Sequence, residues 1–275
     1  MNNYKQAIEL IRTANLKEKN FVTGYRDLDA CVGCTPKGSL ITIGGRPAMG
    51  KTSLTCGMVL NMLKEDKSVL YLTLDLSKEL LERKLLFMQA KIQPLKFNLE
   101  LFSEADFTAI EKAADFLGSK NLEIVDKTSA DTDFIQKKVK QNKYDYIFIN
   151  VFQMIRPKKS DIQADNLGQV VKDLKRIARE NNVTIILTSN LSRKIERRVD
   201  KVPTLSDLQD DGTLEDLSDV VIFIYRYDYY DFEETRFDNT ELFIAKNKFN
   251  VTSFIELHFD KEFVTFENLP IKNIF

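Results

Sequence analysis

The chain has 275 residues, which is enough for one or two domains. Its composition, 43% hydrophobic and 29% charged, is typical of a globular protein with a buried core. A formal net charge of −1 excludes a global basic field that would hold the protein on nucleic acid, so any such contact must come from a local patch. The apolar runs, such as 220–225, are too short to cross a bilayer, and the opening residues lack the pattern of a signal peptide. We therefore expect no membrane association and a cytoplasmic location.

The chain begins with a short amphipathic pattern. Residues 4–14 place apolar side chains at helical spacing, which predicts a helix. We interpret residues 1–19 as an N-terminal linker helix. Residues 20–275 are interpreted as one domain, because no internal repeat and no Pro- or Gly-rich linker divides them.

Strands and helices alternate over the first two thirds of this domain. After a turn and a short helix, continuous apolar runs predict strands over residues 39–45, 68–75, 121–126, 144–150 and 183–189. Helical spacing and N-cap residues predict helices over 51–65, from about 77, and over 103–117, 131–141 and 163–181. Strands that are apolar on both faces are typical of parallel sheets covered by helices. We therefore predict an α/β fold with a mostly parallel sheet and helices on both faces.

The last part of the chain has a different pattern. Strands are predicted over residues 219–225, 241–247, 253–259 and 263–267. Little helix separates them, and antiparallel strands need only short connections, whereas parallel strands need a crossover. We expect these strands to extend one edge of the sheet in antiparallel fashion.

A phosphate-binding motif lies between the first strand and the helix that follows it. The sequence GRPAMGKT, Gly45 to Thr52, matches G-x-x-x-x-G-K-[ST] in the required context. Glycines let backbone N–H groups surround phosphates, Lys51 reaches the β- and γ-phosphate oxygens, and the Thr52 hydroxyl coordinates Mg²⁺. The alternative is a plain glycine-rich turn. We predict that ATP and Mg²⁺ are bound here by Gly45, Arg46, Pro47, Ala48, Met49, Gly50, Lys51, Thr52 and Ser53.

Two polar residues end predicted strands. Asp75 ends a strand that we expect beside the strand of the phosphate loop, so it would face the nucleotide; alternatively it is an acid at a helix start. Asn150 ends the strand 144–150, where nucleotide-hydrolysing α/β proteins usually carry an acid that helps to hold magnesium. A plain strand-end asparagine is equally compatible with the sequence. Asp145 cannot replace that acid, because five residues of strand put it about 16 Å away.

One segment of the chain is strongly basic. Residues 193–201, RKIERRVDK, hold five basic and two acidic side chains. The segment either contacts nucleic-acid phosphates or forms a solvated loop with salt bridges. Aromatic residues are absent from it, so base stacking is not indicated.

Several stretches in the same order resemble one family, the DnaB-type replicative helicases, which are hexameric motors with a RecA-like core. GRPAMGKTSL resembles the family's P-loop, LYLTLDLSKELLERKL its second motif, and IFINVFQMI its magnesium-site strand. VTGYRDLDACVG resembles the start of its domain, the stretch from LTSNLSRKIERR to IYRYDYY its sensor and DNA-loop region, and LFIAKNKFN its intersubunit finger strand. The resemblance covers about residues 20–268 and implies a RecA-like P-loop NTPase fold.

The resemblance also implies partners. It implies a hexameric ring with nucleotide between neighbouring subunits, single-stranded DNA in the central channel, and a replication loader or primase as a further partner. The N-terminal helix would then dock on the neighbouring subunit, or else pack on its own domain. Nothing in this sequence resembles the family's N-terminal primase-interacting domain, so we expect either a relative without one or a fragment. Gln153 and Arg226 match the family pattern, Gln153 as a link between the nucleotide site and the DNA loops and Arg226 chiefly as a structural residue.

Three differences from the family concern ATP hydrolysis. Asp75 stands in the place of a catalytic glutamate and reaches one methylene less far, and a misplacement of about 1 Å can cost ~10²-fold in rate. Asn150 replaces the Walker B aspartate and carries no charge. Lys248 replaces an arginine finger and lacks its planar fork. By resemblance, the catalytic residues are Asp75, Lys51, Asn190, Lys246 and Lys248, and the metal is held by Thr52 and Asn150.

A fourth difference concerns DNA. Gln209 replaces an arginine of the family's DNA loop, and the adjacent Asp210 and Asp211 would repel phosphate. Gly212 still offers a backbone N–H to a phosphate. The DNA contacts implied by the resemblance are Arg193, Lys194, Arg197, Arg198, Gln209 and Gly212.

The sequence therefore leaves three hypotheses. The first is a ring-forming ATPase that translocates on single-stranded DNA with weakened hydrolysis. The second is a nucleotide-binding accessory relative of a replicative helicase that has lost most hydrolysis. The third is another RecA-like ATPase.

Overall fold

The computed structural model describes residues 21–157, 167–208, 212–230 and 239–270. The predicted helix over residues 4–14 and the first residues of the helix predicted from 163 lie outside the described residues. All nine predicted strands are present, with ends that differ from the prediction by at most two residues.

Cap residues explain where some of the described helices begin. The described helices are α1 (Arg26–Val32), α2 (Lys51–Lys64), α3 (Lys78–Ala90), α4 (Pro94–Asn98), α5 (Glu104–Gly118), α6 (Thr132–Gln141), α7 (Leu167–Asn181) and α8 (Thr213–Leu217). Ser103 caps α5 as predicted, because its hydroxyl accepts the Asp106 N–H while the Asp106 carboxylate accepts the Ser103 N–H at 2.9 Å. The short helix α4, which opens on Pro94, was not predicted.

The strands form one nine-stranded sheet in the order β3-β2-β4-β5-β1-β6-β7-β8-β9. They are β1 (Leu40–Gly45), β2 (Val69–Thr73), β3 (Leu122–Asp126), β4 (Tyr146–Asn150), β5 (Thr184–Asn190), β6 (Val220–Arg226), β7 (Asn239–Asn247), β8 (Ser253–Asp260) and β9 (Thr265–Asn268). Strands β1 to β6 pair in parallel, and β7, β8 and β9 add antiparallel strands at one edge. This confirms the predicted α/β class with its antiparallel edge.

The predicted position of β2 in the sheet is wrong. We expected β2 beside β1, but β4 and β5 lie between them. The order of strands depends on long-range packing, which the local apolar pattern does not encode. Because these strands run parallel, their carboxyl ends nevertheless share one edge of the sheet, where ligands of such folds bind.

Apolar side chains cover both faces of the sheet. One cluster joins α1, α2 and α3 to the sheet through residues such as Leu28, Met58 and Leu85. The other joins α6 and α7 to the opposite face through residues such as Ile135 and Leu174. Buried on both sides, the central strands fix the loops at the carboxyl edge. Among the described residues, no helix has the length and apolar character to cross a membrane.

Candidate nucleotide-binding site

The loop between β1 and α2 has the backbone shape of a phosphate cradle. Gly50 precedes α2 with φ of +97°, a conformation that side chains rarely tolerate. A Cβ added at Gly50 would lie 2.8 Å from the Phe266 ring, so both the backbone and the available space require glycine. The first N–H groups of α2 have no partner inside the helix and point toward the loop. The loop can therefore receive an anion at the helix start.

Lys51 lies inside this loop rather than in solvent. Its ammonium donates to the carbonyl of Gly45 at 2.7 Å and to that of Arg46 at 3.1 Å. The residue is 8% exposed. Burial, reinforced by the positive charge of Arg46, lowers the pKa of Lys51 to about 8, while the negative charge of Asp75 opposes this change. An arriving phosphate would supply the charge partner that the buried ammonium lacks.

A cleft of about 540 Å³ opens next to the loop. That volume lies within the usual range for small-molecule sites. The cleft brings together most of the residues predicted for nucleotide binding, metal binding and catalysis, namely Pro47, Ala48, Gly50, Lys51, Thr52, Ser53, Asp75, Asn150 and Asn190. Four further residues, Val151, Arg226, Phe259 and Val264, complete its lining. No motif in the sequence pointed to Phe259 or Val264, because they come from the antiparallel edge of the sheet.

Two loop residues that we predicted to bind nucleotide have their side chains elsewhere. Met49 is buried in the core cluster under α2, so it offers the ligand only its backbone. The Arg46 guanidinium donates to the Glu196 carboxylate at 2.7 Å and to the Leu191 carbonyl at 2.9 Å. Its partners therefore lie in the segment after β5 rather than in the cleft.

Asp75 and Asn150 are directly connected. The Asn150 amide nitrogen donates to Asp75 at 2.9 Å, and the Thr188 hydroxyl donates to the Asn150 amide oxygen at 2.6 Å. Partial burial raises the pKa of Asp75, against the lowering effects of local backbone N–H groups and the charge of Lys51. Among the described residues that line the cleft, Asp75 is the only carboxylate. The negative charge on this side of the cleft therefore belongs to Asp75. Thr188, which fixes the amide of Asn150, was missed from the sequence.

Gln153 joins the loop after β4 to the end of β5. Its amide nitrogen donates to the Ser189 hydroxyl at 2.8 Å and to the Asn190 carbonyl at 3.1 Å, and its amide oxygen accepts the Asn190 N–H at 3.3 Å. Asn190 is thus held at the cleft from two sides. These bonds join Gln153 to the end of β5, and its role as a link to the DNA loops stays a prediction.

Arg226 lines the cleft but is paired. It donates two hydrogen bonds to Asp228, at 3.1 and 2.7 Å, and its guanidinium lies 4.0 Å from the centre of the Phe259 ring. Lys261 also pairs with Asp228, at 3.0 Å. These contacts fit the structural role that we expected for Arg226.

The basic segment after β5 contains both exposed side chains and a side chain held in an ion pair. Arg193, Lys194 and Arg197 are exposed on a short 3₁₀ turn, which is anchored by the buried Ile195. Within the ranges that the structure describes, none of these three side chains forms an ion pair. Arg198 differs, because its guanidinium donates to the buried Asp207 at 2.9 Å and to the Val202 carbonyl at 2.7 Å.

The other predicted DNA-contacting residues lie near the start of α8. Gln209 is outside the described residues. Gly212 precedes α8 with φ of +88°, and its carbonyl accepts the Asp216 N–H. The left-handed backbone conformation accounts for a glycine at this position.

Lys246 and Lys248 are far from the phosphate loop of their own chain. Asn247 pairs with Val220, the first residue of β6, so both lysines lie at the amino edge of the parallel strands. The six-residue strand β1 separates this edge from the phosphate loop by about 16 Å. The Lys248 ammonium is bound by Asp219 at 3.1 Å, and Lys246 donates to the last carbonyls of α8, including that of Asp216 at 2.9 Å. Neither lysine reaches the cleft of its own chain.

The fold and the loop define a P-loop nucleotide-binding α/β protein. Comparison with known proteins narrows this class: the chain belongs to the DnaB-like helicase C-terminal domain family, whose model matches residues 21–268.

Similar proteins support this assignment. A probable replicative DNA helicase of Trieres chinensis is 33% identical over an alignment of 262 residues that covers 91% of this chain and 58% of that protein. The replicative DNA helicase DnaB of Rickettsia typhi is 31% identical over an alignment of 280 residues that covers 90% of this chain and 56% of that protein. The chain thus spans a little over half the length of these curated relatives. A solved DnaB-like replicative helicase, studied with its interactions with primase, superposes with a TM-score of 0.90 at 29% identity, covering 97% of this chain and 66% of that one.

Proposed function

We propose that this chain is the motor domain of a ring-forming helicase that binds ATP, hydrolyses it slowly and translocates on single-stranded DNA. The observation that carries the proposal is the cleft, which gathers Lys51, Thr52, Asp75 and Asn190 at one edge of the sheet. Membership of the DnaB-like family supports the same conclusion, as does the match of 91% of this chain to part of a helicase relative.

In the proposed reaction the chain binds the phosphates and accepts one proton. The loop N–H groups and Lys51 hold the phosphate oxygens. Asp75 orients a water and takes its proton as the water oxygen bonds to the γ-phosphorus and the bond to the leaving diphosphate breaks. The raised pKa of Asp75 makes this carboxylate a better proton acceptor. Asn190, held by Gln153, would contact the γ-phosphate or the water.

The residues of the cleft also fit a magnesium ion. Mg²⁺ prefers oxygen ligands and is usually held by one or two protein groups together with phosphates and waters. The Thr52 hydroxyl would hold it, and the Asn150 amide oxygen would offer only the lone pair that its bond from Thr188 leaves free. When bound, the ion neutralises charge on the phosphate oxygens.

Three features support slow turnover. Asp75 is a short base, and Asn150 adds no charge beside it. The finger position is a lysine, whereas arginine fingers contribute about 10³–10⁵ in rate in well-studied enzymes. The location of Lys246 and Lys248 at the opposite edge from the P-loop is consistent with action on a neighbouring subunit's nucleotide.

Self-association is supported by an exposed apolar surface. Around α4, Leu95, Leu99, Leu101 and Phe107 are each at least half exposed. Monomeric proteins rarely leave large contiguous apolar patches in water. We propose that such a surface is covered in a ring, expected to be hexameric. Sedimentation with ATP and Mg²⁺ tests this, and removal of residues 1–15 should weaken the ring if the N-terminal helix docks on a neighbour.

DNA binding is proposed for the basic turn. Arg193, Lys194 and Arg197 present three positive charges without acidic partners in the described residues. Such side chains contact phosphates and read no sequence. We therefore expect binding without sequence preference, falling steeply with salt.

A second candidate function is favoured by the bonding of Asn150. The Asn150 amide is already hydrogen-bonded to Asp75 and Thr188, so it would bind a metal only weakly. Weak metal binding would make the chain a nucleotide-binding accessory subunit with little hydrolysis. Steady-state ATP hydrolysis with and without single-stranded DNA separates the two. We expect slow turnover with weak stimulation by DNA. Turnover of tens per second with strong stimulation would refute the proposed weakening, and nucleotide binding with no turnover would favour the accessory role.

A further inference from the structure

An ion pair connects the phosphate loop to the basic turn. The Arg46 carbonyl accepts the Lys51 ammonium, while the Arg46 guanidinium donates to Glu196 at 2.7 Å and to the Leu191 carbonyl at 2.9 Å. The Arg46 side chain is 13% exposed and that of Glu196 is 35% exposed. A charge-assisted bond at this distance with limited solvent access is among the stronger kinds of hydrogen bond in proteins. One residue of the loop is thus tied to Lys51 and to the segment after β5.

Glu196 is also fixed from a third element. Tyr230 lies in the turn after β6, and its hydroxyl donates to the Glu196 carboxylate at 3.3 Å. The ammonium of Lys201 lies 4.7 Å from the centre of the Tyr230 ring. The neighbouring Ile195 is buried, so the turn that carries Glu196 is anchored on the core. The carboxylate is held at the junction of the phosphate loop, the basic turn and the turn after β6.

An acid at this position costs DNA affinity unless it has another role. Glu196 stands between Lys194 and Arg197, the exposed cations that we propose to contact DNA phosphates. A carboxylate beside them repels the same phosphates. The contact with Arg46 accounts for an acid within a segment that is otherwise basic.

We propose that Glu196 is a positioning residue that couples the nucleotide state of the phosphate loop to the basic turn; this inference rests on the proposed function. Nucleotide binding draws Lys51 from the loop carbonyls toward phosphate and changes the hydrogen bonds of Arg46. The Arg46–Glu196 pair transmits that change to the turn bearing Arg193 and Arg197. Coupling is reciprocal, so DNA bound at the turn changes nucleotide affinity by the same factor.

The experiment measures the coupling factor directly. Binding of a fluorescein-labelled oligothymidylate is followed by anisotropy without nucleotide and with a non-hydrolysable ATP analogue and Mg²⁺. The ratio of the two dissociation constants is the coupling factor, expected at about 5–150 for the unmodified chain. Glu196→Gln, which keeps the size of the side chain, should reduce the factor to within about twofold of 1. Affinity for ATP without DNA should stay within about twofold of the unmodified chain.

A matched variant controls for loss of DNA binding as such. Arg197→Gln removes an exposed cation from the same turn and should weaken DNA binding in both nucleotide states, while the remaining cations of the turn keep the coupling factor clearly above that of Glu196→Gln. Arg46→Lys keeps the charge but loses the fork that reaches both Glu196 and Leu191. It should lower the factor, and Arg46→Lys combined with Glu196→Gln should lower it no further.

The outcomes separate two failures. If the unmodified chain binds neither ATP nor DNA, the proposed function is wrong. If the unmodified chain shows coupling and Glu196→Gln retains it at full size, the inference about Glu196 is overturned. Additive losses in the double variant would also overturn it. Should Glu196→Gln fail to fold, Arg46→Lys alone decides, with retained coupling as the contrary result.

Discussion

Asn150→Asp tests the account of the cleft, because it places a second carboxylate next to Asp75. The Asn150 amide nitrogen now donates to Asp75 at 2.9 Å. The variant exchanges that donor for a carboxylate oxygen. Thr188 can still donate to the new side chain, so one of the two bonds of residue 150 is kept. The change therefore isolates the contact with Asp75.

The expected cost can be worked out from this geometry. Two unit charges about 4 Å apart repel by about 4 kcal/mol at an effective dielectric constant of about 20. Because Asp75 is exposed to the cleft, solvent screening lowers this to about 2 kcal/mol. The lost hydrogen bond contributes about 1 kcal/mol more. A total of about 2–3 kcal/mol in a domain of this size corresponds to a Tm lower by roughly 5–10 °C.

Thermal unfolding at neutral pH in the presence of a chelator measures this cost. The difference in Tm between the variant and the unmodified chain should shrink when Mg²⁺ and nucleotide are added, because a cation between the two carboxylates removes their repulsion. It should also shrink as the pH is lowered, because the like charge raises one pKa of the pair further and that acid becomes protonated and neutral. In ATP hydrolysis, half-maximal activity should require less Mg²⁺ than in the unmodified chain.

The exchanged pair is the matched control. Asp75→Asn combined with Asn150→Asp again sets one carboxylate against one amide, so most of the lost stability should return. A single Asn150→Asp variant as stable as the unmodified chain without metal would refute this reasoning. A deficit that neither Mg²⁺ nor low pH reduces would also refute it.

Three further predictions concern the base, the finger and the basic turn. Asp75→Asn should lower kcat for ATP by about 10²–10⁴ with nucleotide affinity nearly unchanged, and an unchanged kcat would exclude Asp75 as the base. Lys248→Ala, tested by itself, should lose ATP hydrolysis. Mixing it with Lys51→Ala subunits should restore part of the activity, because each variant supplies the residue that the other lacks. No recovery would argue against action between subunits. Arg198→Ala should lower the free energy of unfolding by about 2–3 kcal/mol in denaturant, because the buried Asp207 carboxylate loses its cation. Arg193→Ala should leave the free energy of unfolding within about 0.5 kcal/mol and weaken DNA binding. Equal stability losses for the two arginines would contradict the division of the turn.

The parts of the fold that could be predicted are those encoded locally. Strand and helix positions follow from the apolar period, and the phosphate loop from eight consecutive residues. The cap of α5 at Ser103 was predictable because the hydroxyl and its N–H partner are three residues apart. The antiparallel edge followed from short connections between the last strands.

What could not be predicted depends on contacts between distant residues. The strand order put β4 and β5 between β2 and β1, and that order decides which side chains meet. Arg46 matches a nucleotide-binding motif, yet its side chain pairs with Glu196, 150 positions away. The role of Thr188 likewise depends on β5 lying next to β4, and no local signal indicates it.

The central claim is that Lys51 and its loop bind ATP for hydrolysis in this cleft. The most direct test compares ATP hydrolysis by the unmodified chain and by Lys51→Ala, with single-stranded DNA and Mg²⁺ present. The account predicts slow but measurable hydrolysis that falls to background in the variant, because the buried ammonium held by Gly45 and Arg46 is the charge nearest the phosphates. Hydrolysis at the same rate in both proteins would contradict it.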